Sequence, residues 1–228
     1  MVISEEILFP NTFGMELIYS FVIIFCSLII YFSTKEMYKI SKYPGIKYFR
    51  EAFLFFAIAY FFKSFISFLF LILDVHEIIE FSSILFGMLT LFFFLYASTM
   101  AIFYLLYSVM WKKLKKSGYI IPLMHILVLF ISGASILIGQ AGILIVLQVL
   151  VFSFVAIQNF SSYRKLAVQK RKSSIYTIYL FLFIFWILNL VDLLVEGFSP
   201  LTEFVVSLFS IGVFILILYK VTRNVGFN

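Results

Sequence analysis

Residues 119–160 read YIIPLMHILVLFISGASILIGQAGILIVLQVLVFSFVAIQNF. His125 aside, the stretch has no side chain that could carry a charge near neutrality. Two apolar runs, 119–138 and 141–160, are separated only by Gly139-Gln140. About 20 apolar residues suffice for a helix to cross the roughly 30 Å hydrocarbon core of a bilayer. The pair therefore reads as an antiparallel helical hairpin inside a membrane. A transmembrane β-barrel would need alternation rather than continuous runs, and a lipid-exposed backbone satisfies its own hydrogen bonds most simply as helix.

The same reading extends in both directions. Runs at about 15–34, 51–73, 81–110, 175–198 and 203–222 bring the total to seven spans, and the long third run suits a tilted or projecting helix. Connections are short, the longest being 35–50. Composition agrees: of 228 residues, 64% are hydrophobic and 12% charged, and 32 are Phe. Soluble domains run nearer half apolar and about a quarter charged. With a mean hydropathy of +1.14, the chain excludes a soluble enzyme and leaves no stretch for a separate aqueous domain. It reads as one membrane domain over 1–228. Its one cysteine, Cys26, lies within an apolar run, so neither a disulfide framework nor a thiolate metal site is available. The leader carries Glu5 and Glu6 where a signal peptide has basic residues, which makes the first span a retained helix.

Charge placement orients the spans. Lys35, Lys39, Lys42, Lys47 and Arg50 precede the second span, and Lys112, Lys113, Lys115 and Lys116 follow the third. Arg164, Lys165, Lys170, Arg171 and Lys172 follow the fifth, and Lys220 and Arg223 close the last. In a seven-span arrangement all of the 17 basic residues except Lys63 fall on one side. Basic loops face the cytoplasm, so the amino terminus is expected outside and the carboxyl terminus inside. An even number of spans would break this segregation. The opposite side collects Glu5, Glu6, Glu16, Asp74, Glu77, Glu80, Glu196 and Glu203. The net charge of +6 thus reflects topology and attraction to anionic headgroups of the lipid bilayer, and no nucleic-acid partner is expected.

Aligning the chain with itself suggests a duplication. Phe32-Ser33 falls on Phe160-Ser161, and Phe53-Leu54-Phe55 on Phe181-Leu182-Phe183, a shift of 128 (160 against 32). Further on, IIEFSSILFGMLTLFFFLY (78–96) meets LTEFVVSLFSIGVFILILY (201–219) at a shift of 123 (203 against 80), with Glu80 on Glu203. The expected fold is therefore all-α: a three-helix unit over about 15–110, a linker helix over about 119–138, and a second three-helix unit over about 141–222. Three spans plus a linker leave both units facing the same way, a parallel 3+1+3 repeat.

In span count and layout the chain resembles seven-helix 3+1+3 membrane proteins: rhodopsin-like bundles, the SWEET sugar transporters, and the membrane sensor regions of prokaryotic histidine kinases. The resemblance is architectural, and no family motif accompanies it. A microbial rhodopsin carries a mid-helix lysine for retinal, whereas residues 203–219 have none and Lys220 lies at the helix end, so retinal is not expected. SWEET-type proteins carry a Pro-Gln pair that is missing here, and Pro10, Pro44, Pro122 and Pro200 all lie at or near span ends. A sensor of this size would pass its signal to a separate membrane or cytoplasmic protein partner.

Ionisable residues inside the membrane cost roughly 2.5–3.5 kcal/mol on insertion scales and tend to face the bundle interior. Tyr60, Lys63, Ser64 and Ser67 recur at three- and four-residue steps, forming one face of span 2. Trp186, Asn189, Asp192 and Glu196 do the same on span 6. The shift of 128 brings Asp192 to Ser64, beside Lys63, so a Lys63–Asp192 pair across a central cleft is expected, with Glu196 as the alternative acid. A structural ion pair, or snorkelling of Lys63 along its own stem, is the plainer reading.

Asp74, His76, Glu77, Glu80 and Glu203 could hold a divalent cation, but charge segregation explains them as well, and neither metal nor cofactor is expected. His125 reads as an interhelical hydrogen-bond partner, and Gln140, Gln148, Gln158 and Asn159 as helix-packing or interface residues. No HExxH helix, intramembrane aspartyl dyad or Ser/His pair points to an enzyme. A receptor-like or scaffold-like bundle remains, with a transporter of small solutes or cations as the alternative. Uninterrupted spans favour the first, because transporters tend to break matched helices at mid-membrane.

Overall fold

A computed structural model describes residues 12–75, 80–114, 119–138, 141–164, 173–195 and 200–225. They form seven helices: α1 (Thr12–Ser41), α2 (Pro44–Val75), α3 (Glu80–Leu114), α4 (Ile120–Leu137), α5 (Ala141–Arg164), α6 (Ser173–Val195) and α7 (Pro200–Val225). Among the described residues, the stretches Gly14–Ser41, Gly87–Lys112, Ile120–Leu137 and Leu201–Arg223 are long and apolar enough to cross a membrane. Val146–Gln158 and Thr177–Asn189 are shorter apolar stretches. The protein is all-helical, with an apolar character that suits a membrane.

The segment 35–50 departs from its expected form. α1 runs on to Ser41 and α2 begins at Pro44, so the long basic connection reduces to Lys42 and Tyr43. No helix breaker occurs between Lys35 and Ser41. Lys42 then closes α1 in a left-handed conformation (φ 48°) while its N–H donates to the Tyr38 carbonyl at 2.8 Å. Pro44 opens α2 at the position where its missing N–H costs least. Gly45 follows because a Cβ there would stand 2.9 Å from the Ser108 carbonyl oxygen and 2.6 Å from the Tyr43 ring. That close approach seats the start of α2 on α3, and Tyr43 meets Trp111 edge-on at 5.1 Å.

Helix contacts run α1–α2–α3–α5–α6–α7 and return from α7 to α1. Six helices thus close a ring, and α4 lies outside it against α3 and α5. α4 and α5 do touch, but the linker's main seat is α3, and the Gly139-Gln140 turn lies outside the described residues. α4 buries Val128 and Ser132, and it leaves Leu123, Ile126, Phe130 and Leu137 exposed, as a helix in lipid can. His125 anchors it. Tyr96 lies 2.6 Å from His125 Nδ1 and Tyr104 3.0 Å from Nε2, so both ring nitrogens are occupied by hydroxyls of α3. Inside the ring, Gln148 of α5 donates to Ser98 and Thr99 of α3 at 3.0 and 2.7 Å. The first set matches the interhelical bonding expected of His125, and the second gives Gln148 the helix-packing role expected of it, while Gln140 and the Asn159 side chain lie outside the described residues.

Ring contacts give the relative directions. Tyr19 pairs with Tyr60 and Tyr31 with Arg50, so α1 and α2 are antiparallel. Phe62–Phe93 and Tyr48–Tyr107 do the same for α2 and α3. α2 and α6 run parallel: Phe49 meets Tyr179, Phe56 meets Trp186, and Tyr60 meets Asn189. Along this seam the interior is aromatic. Phe53, Phe56, Phe152, Phe185 and Phe214 are fully buried, and Phe185–Phe214 (4.8 Å) and Phe56–Trp186 (5.3 Å) bind α2, α6 and α7 together. In a bilayer, where lipid is as apolar as these rings, such contacts stabilise through close packing rather than escape from water.

Candidate functional site

One end of the α2–α6 seam is polar. Tyr60 of α2 donates to Asn189 Oδ1 of α6 at 2.7 Å, and Tyr19 of α1 donates to the same oxygen at 3.2 Å. The two phenol oxygens stand 3.1 Å apart, and their rings meet edge-on. Asn189 Nδ2 returns to its own helix at the Phe185 carbonyl, 2.8 Å away. One carboxamide therefore gathers three helices, and its orientation is fixed from both ends. Hydrogen bonds of this kind between membrane helices contribute about 0.6–1.7 kcal/mol each. Tyr19 and Tyr60 are buried, so the cluster is shielded on its inner side.

One turn beyond Tyr60, Lys63 reaches back over α1. Its ammonium lies 3.9 Å from Glu16 Oε1 and 5.4 Å from the centre of the Tyr19 ring. The Lys63 side chain is 22% exposed and that of Glu16 43%, so this part of the cluster opens outward while the Tyr–Asn part does not. Ser64 uses its hydroxyl on the Phe61 carbonyl at 2.9 Å.

The positions expected to form the site thus separate into three groups. Tyr60, Lys63 and Asn189 belong to one polar layer. Trp186, expected on the same stripe, is buried among Phe56, Phe152 and Phe185, and so belongs to the aromatic core one turn further in. Ser67 and Asp192 are on α2 and α6, but their side chains, like the whole of Glu196, lie outside what the structure describes, as do His76 and Glu77. Among the described residues no three His, Cys, Asp or Glu side chains gather as metal ligands would.

Two members escaped sequence reasoning. Glu16 and Tyr19 lie three residues apart on one face of α1, and their signal was an acid followed one turn later by a phenol at the start of an apolar span. Nothing along the chain places α1 against the α2–α6 seam, since neighbours around a ring are a tertiary fact.

At the other end of the bundle the polar contacts are tighter. Arg50 pairs with Glu51 at 2.8 Å, and its guanidinium stacks over Tyr31 at 4.9 Å and near Tyr38 at 5.9 Å. Tyr179 of α6 hydrogen-bonds Ser108 of α3 in the buried interior.

The chain is similar, at 28% identity over 216 residues and 92% of both chains, to an uncharacterized protein of Archaeoglobus fulgidus. No family model matches it, and no solved structure does.

Proposed function

We propose that this chain is a non-enzymatic integral membrane protein of seven spans that works as a receptor, sensor or scaffold for a membrane or cytoplasmic protein partner. Its responsive site is the polar layer of Tyr19, Tyr60, Lys63 and Asn189, with Asp192, Glu196 and Ser67 completing it. The basic end lies in the cytoplasm by the positive-inside rule, so the polar layer faces outward. The observation that carries this reading is the order of layers along the α2–α6 seam. A hydrogen-bonded layer sits on fully buried Phe53, Phe56, Phe185 and Phe214, and an aromatic floor suits binding at one face better than passage through the bundle.

The register of the seam supports Asp192 as a member. α2 and α6 meet at steps of 129 to 130 (Tyr60 with Asn189, Phe56 with Trp186). The same step carries Lys63 to Asp192 or Leu193, so positions 63 and 192 share a level on α2 and α6. That step lies within two residues of the sequence shift of 128, as expected if α2 and α6 are equivalent helices about a twofold axis. The order of contacts round the ring also survives exchanging α1 with α5, α2 with α6 and α3 with α7. The third helices fit less well, since α3 is described over 35 residues and α7 over 26.

The paired halves also favour the second reading, a small-solute or cation transporter, because parallel repeats are one way such proteins are built. Proteoliposomes separate the two. A receptor or scaffold holds solute and ion gradients and copurifies with a defined partner in mild detergent at native expression. Flux that Lys63→Met abolishes would replace this reading with the transport one, and repeated recovery of the bare chain would remove the scaffold role. Orientation is checked separately with a membrane-impermeant maleimide on intact cells, which should label Leu201→Cys and leave Lys39→Cys unlabelled. Both positions are exposed, and the native Cys26 is buried.

A further inference from the structure

We infer that His125 is a proton-sensitive latch: its neutral ring holds the first half of α4 on α3, and protonation releases it. None of the residues of the outward polar layer takes part, so the latch stands apart from the receptor reading.

The polar hold on α4 is concentrated in one side chain. Among the described residues, the bonds of the His125 ring to Tyr96 (2.6 Å) and Tyr104 (3.0 Å) are the only hydrogen bonds from α4 to another helix. Ser135 bonds its own helix at the Ile131 carbonyl, and the hydroxyl of fully buried Ser132 has no partner. Packing is sparse as well. Val128 and Ser132 are the buried residues of α4, and a Cβ at Gly133 would come no nearer than 3.9 Å to the Phe92 ring.

The charge on the ring decides how well this clamp closes. A neutral imidazole has one N–H and one lone pair. It donates to one phenol oxygen and accepts from the other phenol, so a single hydroxyl hydrogen is left over. An imidazolium has two N–H groups and no lone pair. Both phenols must then accept, neither hydroxyl hydrogen is used, and a full charge sits between apolar helices, where it costs far more than in water. Around the ring stand Tyr96 and Tyr104 of α3 and the apolar Phe55 of α2, its ring centre 6.0 Å away. Tyr48 of α2 stacks on Tyr104 from behind. Glu51, one turn before Phe55 and on its face of α2, is the acid on that side, and Arg50 balances it at 2.8 Å. α5 has no titratable side chain before Tyr163, and α4 has no other.

His125 lies five residues after Ile120, about 8 Å from the start of α4 at 1.5 Å per residue. That start, next to exposed Tyr119, follows the basic end of α3. Swinging it off α3 brings a charged ring to water and headgroups, whereas the docked position keeps the charge away from them. Acid therefore favours the released position, in which the α3 tyrosines are uncovered.

Spin labels on the full chain in nanodiscs test this. Leu123→Cys on α4 and Lys39→Cys at the end of α1 are both exposed positions, and the buried Cys26 is replaced by Ala. From about pH 8 to about pH 5, a span that brackets the ordinary imidazole range, the population at the longer distance should rise about threefold or more, reversibly. Its midpoint should coincide with the titration of the His125 ring, followed by nitrogen NMR in a His76→Gln chain that has no other imidazole. His125→Gln keeps a donor and an acceptor without the charge, and should show one distance distribution at every pH. A distribution that stays fixed while the ring titrates would overturn the inference. So would a ring that stays neutral throughout, a movement of α4 toward α1, or the same pH response in His125→Gln. Should His125→Gln fail to fold, the match or mismatch of the two midpoints in chains that keep His125 decides the matter.

Discussion

Two of the cations of α2, Arg50 and Lys63, lie over tyrosine rings of α1 beside a carboxylate, and the two assemblies are built differently. At the basic end Arg50 binds Glu51 of its own helix at 2.8 Å and stacks between Tyr31 and Tyr38. At the acidic end Lys63 stands 3.9 Å from Glu16, a residue of another helix. The Arg50 pair is 15% and 21% exposed, the Lys63 pair 22% and 43%. A planar guanidinium forms directed bonds and stacks flat on rings, whereas an ammonium is a point charge on a flexible stem. The same ingredients therefore make a short pair within one helix at one end and a longer contact between two helices at the other. Residue type and separation decide which is which.

Stability measurements can break that comparison. The largest effect is expected for Arg50→Leu, which leaves the Glu51 carboxylate half-buried without its partner and should cost about 2–3 kcal/mol, read as unfolding in mixed micelles. A cost below that of Lys63→Met would reverse the ranking. Asn189→Leu comes next. It removes the acceptor of both tyrosine hydroxyls and should cost about 1–2 kcal/mol, and Tyr60→Phe made in the Asn189→Leu background should then cost less than Tyr60→Phe alone, since the two share one bond. Lys63→Met should cost less than Arg50→Leu, about 1 kcal/mol, because the pair with Glu16 is partly exposed. A cost like that of Arg50→Leu would make Lys63 a structural cation and weaken the case for a ligand there. Smallest of all, Lys42→Gly should stabilise by about 0.5–1 kcal/mol by relieving the positive φ between the two helices that carry these pairs. Any loss would mean that the Lys42 side chain contributes at the basic end.

Part of the site was legible in advance for a definite reason. Tyr60, Lys63 and Asn189 stood out because polar groups are scarce in apolar helices and recur at helical spacing, and the seam does unite Tyr60 with Asn189. Trp186 shares that spacing yet sits in the aromatic core, since a stripe on a helical wheel is wider than one contact. Glu16 and Tyr19 were missed because their importance depends on which helix stands beside the seam. The position of α4 was equally hidden: Gly139-Gln140 makes it a neighbour of α5 in sequence, while His125 ties it to α3 through Tyr96 and Tyr104.

The order of residues suffices to say that this chain is helical and apolar, where most helices begin and end, and which end of the bundle is basic. These follow from hydropathy, helix-breaking residues and charge, all of which act locally along the chain. Packing in three dimensions was needed to establish that six helices close a ring with α4 outside, that aromatic side chains fill the α2–α6 seam, and that Lys63 meets Glu16 over Tyr19. Such outcomes depend on close contact between surfaces that are all apolar, and in that setting shape and a few hydrogen bonds select the neighbours, where hydrophobicity cannot.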